Sequence, residues 1–449
     1  MKRYFIILLA ALLVLSLAAC QEAPAETTVA PVETTVAPVE TTVLPTETTA
    51  APTETTAPVE TEAPTEPLTP EEQILQERRD IVEAYMRQQT TILWRCEEDL
   101  LYTIASNVEP ENADSSKQIQ LVAGRLYMGL PYAYTSGTVD SFLEYAGKPD
   151  ENGIYTISDL SWEALSGSSK IARLGNDCSA ALVLAWSQVG GSVSAQSTQY
   201  MCEDYGFLRV GDYESDPSDN TPTTSAIARN GMEKMLAAYA QLQKGDGLVC
   251  RAAASGHAVM VVDVEVVYLE DGSIDTYSSY VTILEQTSTS IKAQTSKEKH
   301  PVTGEPIYQI CGVDRAFTFR YLIQKGYLPI TCKELVDPSP LPEKTITDSE
   351  TAFHKDTILS GVLSSDWYID AVTVTLTDST GAAVQEAMAF ATRKGNNAFD
   401  MQKFVNDHPT TIRGSIDPAA LASGNYHCTV VCRLTTGDEI IARDFDFVV

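Results

Sequence analysis

Helical spacing of apolar residues dominates the part of the chain that follows residue 68. Thr69 can cap a helix, Pro70 suits its first turn, and Glu72 completes a capping box. The apolar positions that follow fall on one helical stripe: Ile74, Ile81, Tyr85, Ile92, Cys96, Leu100 and Ile104. We therefore predict a long helix with Cys96 as a core thiol, a break over 107–116, and a second helix over 117–128.

Between about 245 and 320 the pattern changes to short runs rich in Val, Ile and Tyr, which is typical of strands. We predict four strands, at 248–251, 257–268, 280–286 and 308–313. Asp271 and Gly272 lie between two of these runs and favour a hairpin turn. Helices followed by an antiparallel sheet indicate an α+β domain.

Three prolines within 338–342 mark a domain boundary. Beyond it, evenly spaced runs predict strands at 357–363, 369–377, 426–434 and 440–449. This arrangement is typical of a β-sandwich of about 100 residues. Cys428 and Cys432 lie on one predicted strand, roughly 13 Å apart at ~3.3 Å per residue, so they cannot bridge each other.

The composition is that of a globular protein with an acidic surface. The chain has 449 residues, of which 44% are hydrophobic, and its net charge is −30. Such a charge argues against nucleic-acid binding and against electrostatic adhesion to anionic lipid. Apart from Cys20, eight cysteines lack the spacing of a disulfide framework or a zinc site. We expect most of them to be buried thiols, and we expect neither a metal nor a cofactor.

The N-terminus has the pattern of a secretion signal. Lys2 and Arg3 precede an apolar run over 5–15, which leads into Leu-Ala-Ala-Cys ending at Cys20. This ending resembles the bacterial lipobox, in which the cysteine becomes the lipidated first residue of the mature protein. The resemblance implies a signal peptide over 1–19 and a lipid anchor that holds the protein at the extracytoplasmic face of a bacterial membrane. A retained transmembrane anchor or an ordinary signal peptide is the alternative.

Residues 20–68 form a low-complexity segment. A unit close to Glu-Thr-Thr-Val-Ala-Pro-Val repeats every seven residues. The prolines forbid a continuous helix, so the heptad does not predict a coiled coil. The segment has no Lys or Arg and few bulky apolar residues, so it cannot build a core. We predict an extended acidic stalk that reaches roughly 150 Å at ~3.1 Å per residue.

The strongest chemical signal is Asp177-Cys178-Ser179, directly before an apolar run over 180–186. Asn176 or Asp177 can cap a helix that begins at Cys178. A thiol at that position faces unpaired N–H groups and the positive end of the helix dipole, which favour the nucleophilic thiolate. The alternative is a buried structural cysteine.

A candidate base lies downstream, where His257 opens an apolar strand. A lone histidine on such a strand is more often structural, but beside a cysteine nucleophile it becomes a candidate base. A third polar group should orient the imidazole. Glu285 and Gln286 on the next strand are the candidates. They point to opposite faces, so only one of them can serve.

These motifs resemble the NlpC-type cysteine peptidases, which are papain-like cell-wall hydrolases, and the related CHAP amidases. The resemblance covers about 117–325. It depends on Asp-Cys-Ser before an apolar helix, a Gly-Asp pair before a strand and Gly-His at the start of the next strand. It implies that Cys178 is the nucleophile and His257 the base. CHAP members often use Glu as the third residue, which favours Glu285 over Gln286.

The family also carries Gly-x-Pro-Tyr-x-Trp-Gly-Gly before the cysteine, and 129–134 matches its first part. The resemblance implies that Tyr132 lies beside Cys178 and helps hold the oxyanion, together with the backbone N–H of Cys178. Asp177 is assigned to the same oxyanion and substrate side. A packed core aromatic is the alternative for Tyr132.

The sequence departs from the family between these motifs. Thr135 and Ser136 replace the Gly-Gly pair, and the segment 135–175 is longer than is usual. We expect this insertion, with its aromatic residues, to cover the cleft and to influence substrate choice. Its aromatic residues are Tyr145, Tyr155 and Trp162.

The C-terminal segment resembles the immunoglobulin-like modules appended to bacterial wall enzymes, through 360–365, 372–374 and 424–426. The predicted fold is thus an N-terminal helical segment at 69–116, a papain-like α+β domain with an antiparallel sheet at 117–337, and a separate immunoglobulin-like β-sandwich at 343–449.

The predicted function is hydrolysis of amide bonds in peptidoglycan by a surface-anchored thiol enzyme. The resemblance favours the stem-peptide bond between D-isoglutamate and the diamino acid, and a sugar–peptide amide is also open. Two alternatives remain at this point. One is a catalytically inactive wall-binding or adhesion lipoprotein, and the other is an amidase for another peptide or lipid amide.

Overall fold

The computed structural model describes residues 67–105, 108–158, 160–161, 174–193, 197–201, 205–215, 222–252, 255–391, 397–404 and 411–449. Cys20, the predicted signal peptide and all but the last two residues of the predicted stalk lie outside these ranges. Glu66–Val449 forms one compact unit. Its fold is mixed α/β, with several antiparallel sheets and a sheet-rich C-terminal region. None of the helices in the described ranges has the length and apolar character of a membrane span.

The first α-helix in the described ranges is the one that the capping box predicts. The α-helices are α1 (Pro70–Thr91), α2 (Val139–Ala146), α3 (Cys178–Trp186), α4 (Thr223–Asn230), α5 (Met232–Tyr239), α6 (Ser288–Ala293) and α7 (Phe319–Lys325). The Thr69 hydroxyl accepts from the Glu72 N–H at 3.2 Å, and the Glu72 carboxylate accepts from the Thr69 N–H at 2.8 Å. The predicted start of α1 is therefore confirmed.

Both helix predictions beyond Thr91 are wrong. Four strands replace them: β1 (Leu93–Cys96), β2 (Leu100–Thr103), β3 (Gln118–Leu121) and β4 (Leu126–Met128). The apolar positions 92, 96, 100 and 104 are four residues apart, and an even spacing fits the alternation of a strand as well as it fits a helix. Cys96 is buried, so it is a core thiol as predicted, but on a strand.

The first sheet has five strands in the order β10-β11-β4-β1-β5. Its other strands are β5 (Tyr155–Ile157), β10 (Thr295–Lys299) and β11 (Pro306–Gln309). β1 runs antiparallel to β4 and parallel to β5, and β2 pairs separately with β3. The core of this sheet is aromatic: the Trp94 ring centroid lies 5.2 Å from that of Tyr127 and 5.6 Å from that of Phe142 on α2.

Described parts of the 135–175 insertion belong to this core. α2 and β5 both come from the insertion, and Tyr145 and Tyr155 pack against the buried residues of the first sheet. Both side chains are therefore partly buried against this core. That the insertion covers the cleft stays a prediction. Trp162 lies outside the described residues.

The second sheet has six strands in the order β12-β9-β8-β7-β13-β6, and every neighbouring pair is antiparallel. The strands are β6 (Phe207–Arg209), β7 (Gly247–Ala252), β8 (Ser255–Glu265), β9 (Tyr280–Glu285), β12 (Gly312–Thr318) and β13 (Leu328–Cys332). α3 packs closely against this sheet. A Cβ on Gly247 would lie only 2.8 Å from Leu182 of α3, so the glycine permits the approach.

The C-terminal region consists of two antiparallel sheets around one core, ordered β14-β15-β18 and β19-β17-β16-β20-β21. Their strands are β14 (Thr347–Asp348), β15 (Val362–Ser364), β16 (Ile369–Asp378), β17 (Ala383–Phe390), β18 (Ala398–Asp400), β19 (Thr411–Gly414), β20 (Asn425–Leu434) and β21 (Glu439–Val448). Three predicted strands match β16, β20 and β21. The prediction at 357–363 begins too early, because Lys355–Thr357 forms a 3-10 turn.

Candidate active site

Cys178 is the first residue of α3 and is buried, with 5% of its surface exposed. Asp177 caps the helix. One of its carboxylate oxygens accepts from the Ala180 N–H and from the Ser179 hydroxyl, each at 2.8 Å. A thiol in this position faces the unpaired N–H groups of the first turn, which stabilise a thiolate. Asp177 therefore holds the turn that carries Cys178. A carboxylate that accepts these bonds offers no donor to an oxyanion.

The predicted 129–134 element lies alongside the residues that precede Cys178. Two backbone hydrogen bonds join the two segments, from the Ala133 N–H to the Asn176 carbonyl at 3.1 Å and from the Asn176 N–H to the Pro131 carbonyl at 3.2 Å. Directly after the element, the Thr135 carbonyl accepts from the Asp177 N–H at 3.3 Å. Gly175 allows this approach, because a Cβ there would lie 2.6 Å from the Pro131 oxygen. Gly175 thus allows the segment 129–134, here called the tyrosine loop, to lie next to Cys178.

Tyr132 belongs to this loop and lies beside Cys178. It is 7% exposed, and its ring packs edge-on against Tyr134 with 6.1 Å between centroids. Burial, followed by the negative charge and hydrogen bond of Cys178, raises the pKa of Tyr132 well above its usual range. The phenol therefore keeps its proton at all physiological pH values and can donate it in a hydrogen bond.

His257 and Glu285 face each other from β8 and β9. His257 Nε2 lies 2.5 Å from Glu285 Oε2, and the side chains are 24% and 2% exposed. Because Nε2 faces the carboxylate, Nδ1 is left for Cys178. A sulfur, an imidazole and a carboxylate are thus aligned in the order that thiol hydrolases use.

The charges of His257 and Glu285 stabilise each other. Burial alone would lower the pKa of His257, but the charge and hydrogen bond of Cys178 and then of Glu285 raise it well above its usual value. Burial opposes the ionisation of Glu285, yet hydrogen bonds and charges from His257 and Arg315 lower the pKa of Glu285 overall. The arrangement favours an imidazolium at His257 and an ionised carboxylate at Glu285.

Gln286 lies on the other side of the second sheet, because neighbouring strand residues point to opposite faces. It is fully buried, donates to the Leu130 carbonyl at 3.3 Å and accepts from the Cys311 thiol at 3.2 Å. Of the two candidates for the third residue, the structure brings Glu285 to His257 and places Gln286 in the core. Gln286 instead secures the start of the tyrosine loop.

Two residues that the sequence did not single out support the site. The Gln89 side chain of α1 accepts from the Asn176 side chain at 2.7 Å and donates to the Ala181 carbonyl of α3 at 3.0 Å. Arg315 of β12 forms an ion pair with Glu285. Neither residue has a local sequence signal, since its partner lies 30 to 92 positions away along the chain.

Cys250 is a second thiol near the site. It is the cross-strand partner of His257 on β7, so both side chains lie on the same face of the sheet. Burial raises the pKa of Cys250, which makes it a poor nucleophile. Cys428, buried in the C-terminal core, is therefore a cleaner reference thiol than Cys250 for reactivity measurements.

In the described part of the chain, no group of three or more His, Cys, Asp or Glu side chains is arranged to hold a metal ion. Comparison with known proteins adds little. No protein-family profile matches the chain, and no curated protein matches it. A solved structure described as a "tetra-tandem repeat in extending region of large adhesion protein" is 14% identical with a TM-score of 0.16. Its alignment covers 45% of this chain and 40% of that chain. A superposition this poor assigns neither fold nor function.

Proposed function

We propose that this chain is a cysteine hydrolase with a papain-like, NlpC-type core that cleaves amide bonds in peptidoglycan. The observation that carries the proposal is the convergence of Cys178, His257 and Glu285 at the start of α3 and across β8 and β9. Binding alone would need neither a cysteine at a helix N-terminus nor an imidazole held between that cysteine and a buried carboxylate.

Under this proposal, the Cys178 thiolate attacks the carbonyl carbon of the amide. The oxyanion that forms accepts hydrogen bonds from the backbone N–H of Cys178 and from the Tyr132 hydroxyl. His257 gives its proton to the leaving amine as the C–N bond breaks, which leaves a thioester. His257 then takes a proton from water, the hydroxide attacks the thioester, and the acid product leaves. Glu285 orients the imidazole throughout.

The proposed substrate is the stem peptide, at the bond between D-isoglutamate and the diamino acid. Support comes from the motif resemblance over 117–325 and from the lipobox-like sequence at Cys20. Such an anchor and the stalk over 20–68 would hold the enzyme outside a bacterial membrane, within reach of the wall. We propose the C-terminal sheets as the immunoglobulin-like module of the same protein.

The test compares the full chain, its Cys178→Ala variant and its Cys428→Ala variant on purified peptidoglycan and defined muropeptides. Mass spectrometry identifies the products. We expect cleavage by the wild type and by Cys428→Ala and none by Cys178→Ala, with fragment masses that name the bond. If folded wild type cleaves no muropeptide, the peptidoglycan assignment fails and another amide or a binding role takes its place. If Cys178→Ala cleaves as well as the wild type, the thiol mechanism fails.

A further inference from the structure

The strand that supports Glu285 contains an irregularity. On β12, Gly312 pairs with Glu285 of β9, and the next pair joins Arg315 to Ile283. Three steps on β12 therefore face two on β9, which is a β-bulge with one extra residue. Asp314 within it adopts a left-handed conformation with φ of 47°. Bulges of this kind re-aim side chains, and strained backbone of this kind is often retained for function.

Gly312 makes room for the Glu285 side chain. A Cβ at Gly312 would lie 2.4 Å from Glu285 Cγ and 2.6 Å from Glu285 Oε1. No side chain fits at that distance, so any other residue at 312 would push the carboxylate away from its present position. The lack of a side chain at Gly312 therefore allows Glu285 to take its present position.

Arg315 pairs with the same carboxylate oxygen that a Cβ on Gly312 would touch. Its Nη1 pairs with Glu285 Oε1, while His257 Nε2 binds Oε2. The Arg315 side chain is 49% exposed, with its guanidinium 5.4 Å from the centroid of the Phe317 ring. A buried carboxylate is costly unless its oxygens are bonded, and each oxygen of Glu285 has one charged partner.

We propose that the Gly312–Arg315 bulge tunes the candidate catalytic centre: Gly312 leaves room for Glu285 beside His257, and Arg315 pairs with one carboxylate oxygen, so that His257 at the other oxygen meets only part of the carboxylate charge. The inference extends the function proposed above, because it assigns a role to residues outside the Cys178–His257–Glu285 row. Arg315 acts on His257 through Glu285 and is therefore a positioning residue. Asp314 anchors the bulge to α1, since both of its oxygens accept from Arg87 at 3.1 Å.

Arg315 also shares the charge of Glu285. With Arg315 present, the carboxylate is divided between two cations, and without it the whole charge acts on His257. The other titratable groups that face His257 and Glu285 are Cys178 on α3, Cys250 on β7, Cys311 before β12, Tyr321 on α7 and Tyr327 before β13. Among these groups, the charge of Arg315 acts directly on Tyr321, where it lowers a pKa that burial raises. A neutral residue at 315 should therefore make His257 hold its proton to higher pH.

The experiment follows the imidazole signals of histidine-labelled full chain by NMR as pH is raised, with His257→Gln to assign the resonance. Arg315→Met should move the titration of His257 to higher pH, and Arg315→Lys should stay close to wild type. Arg320→Met is the matched control, because that exposed arginine contacts the Tyr277 ring at 4.6 Å and should leave His257 unchanged. An unchanged titration in Arg315→Met, or an equal shift in Arg320→Met, overturns the proposal.

Gly312→Ala gives a second, opposite prediction. Displacement of Glu285 removes its bond to His257, so the imidazole should lose its proton at lower pH than in wild type. Should this variant not fold, the Arg315 series alone decides. The titration needs no substrate and can fail while peptidoglycan is still cleaved. It can equally succeed with a protein that cleaves no muropeptide, so the two proposals fail independently.

Discussion

Glu285 keeps a negative charge in a nearly water-free position, since only 2% of its side chain is exposed. It can do so because His257 and Arg315 each bond one of its oxygens. The same bond raises the pKa of His257, together with the charge of Cys178. At the residue scale, the site is therefore a set of mutually dependent charges. Loss of one member should be visible in stability as well as in chemistry.

This dependence predicts how the cost of His257→Gln varies with pH. The folded-state pKa of His257 lies above its unfolded value, so its stabilisation is complete below the unfolded pKa of about 6.5 and is lost as pH rises through the folded pKa. The folded-state pKa of Glu285 is lowered, so its contribution is complete above about 4.3 and is lost as pH falls through the folded pKa. The difference in unfolding free energy between wild type and His257→Gln should therefore be largest between about pH 4.3 and pH 6.5.

Urea unfolding of wild type and His257→Gln across pH 4 to 10 measures this difference. His354→Gln serves as a control, because its side chain is 57% exposed and lies outside the site. A difference between wild type and His257→Gln that stays constant, or that grows toward alkaline pH, would contradict the proposed charge arrangement.

At the element scale, α1 is a structural partner of α3. Gln89 spans the two helices, since it bonds both the Asn176 side chain and the Ala181 carbonyl. Near the middle of α1, the buried Arg79 pairs with Asp246 at 2.9 Å, just before β7. α1 thus connects the segment before Cys178 with β7, the strand that pairs with β8 and His257.

Gln89→Met tests this role with a side chain of similar size and no amide. The Asn176 side chain and the Ala181 carbonyl would each lose a buried partner, so we expect a loss of about 1–3 kcal/mol in unfolding free energy. Alkylation of Cys178 by iodoacetamide should slow as well. Gln76→Met on the exposed face of α1 removes only a bond to Asp80 and should stay within about 0.5 kcal/mol.

Chemical denaturation measures the unfolding free energy of Gln89→Met. Timed alkylation followed by mass spectrometry measures the rate at which Cys178 reacts. Equal stability of Gln89→Met and wild type would show that α1 contributes nothing to the site through this residue. A destabilised variant with an unchanged alkylation rate would limit the role of Gln89 to the packing of α1 on α3.

The elements that the sequence predicts well are those with local signals. The capping box at Thr69 marks the start of α1, and Asp177 marks the start of α3, because each cap bonds within its own first turn. The helix prediction over 117–128 fails, because β4 pairs with β11, which lies far along the chain, and β3 pairs with β2 on the other side of the break over 107–116. Arg315 could not be predicted for the same reason: its contact with Glu285 depends on the register of a bulge.

At the scale of the whole molecule, a buried charged group joins the C-terminal sheets to the rest of the unit. Asp370 of β16 is 6% exposed and accepts from the Thr138 hydroxyl at 2.9 Å and from Arg433 at 2.7 Å. Arg433 also donates to Glu144 of α2 at 2.6 Å. The prolines at 338–342 predict a boundary in the chain, but no local pattern could reveal this contact.

Further hydrogen bonds lead from this contact toward Cys178. Thr138 caps α2 and follows Gly137, whose carbonyl accepts from the Asn176 side chain at 3.0 Å. A continuous path of bonded residues therefore leads from Asp370 to the position two residues before Cys178. The C-terminal sheets are in this respect part of the support of the candidate site.

We expect Asp370→Ala to lower the unfolding free energy by about 3–5 kcal/mol, because removal of one partner leaves the Arg433 guanidinium partly unpaired in a buried position. The double variant Asp370→Leu/Arg433→Met should recover much of this loss, because the two buried charges are removed together and Glu144, the other partner of Arg433, has a side chain that is 23% exposed to water. Asp438→Asn removes an exposed partner of Lys344 and should cost no more than about 1 kcal/mol.

Urea unfolding and the alkylation rate of Cys178 report on different parts of this argument. If the C-terminal sheets only pack against the unit, Asp370→Ala should unfold earlier while Cys178 reacts at the wild-type rate under native conditions. If the path through Thr138 and Gly137 supports the site, as we expect, the same variant should also react more slowly before it unfolds. Unchanged stability in Asp370→Ala would contradict both interpretations. Removal of a buried aspartate with two bonded partners should lower the unfolding free energy of a unit that depends on this contact.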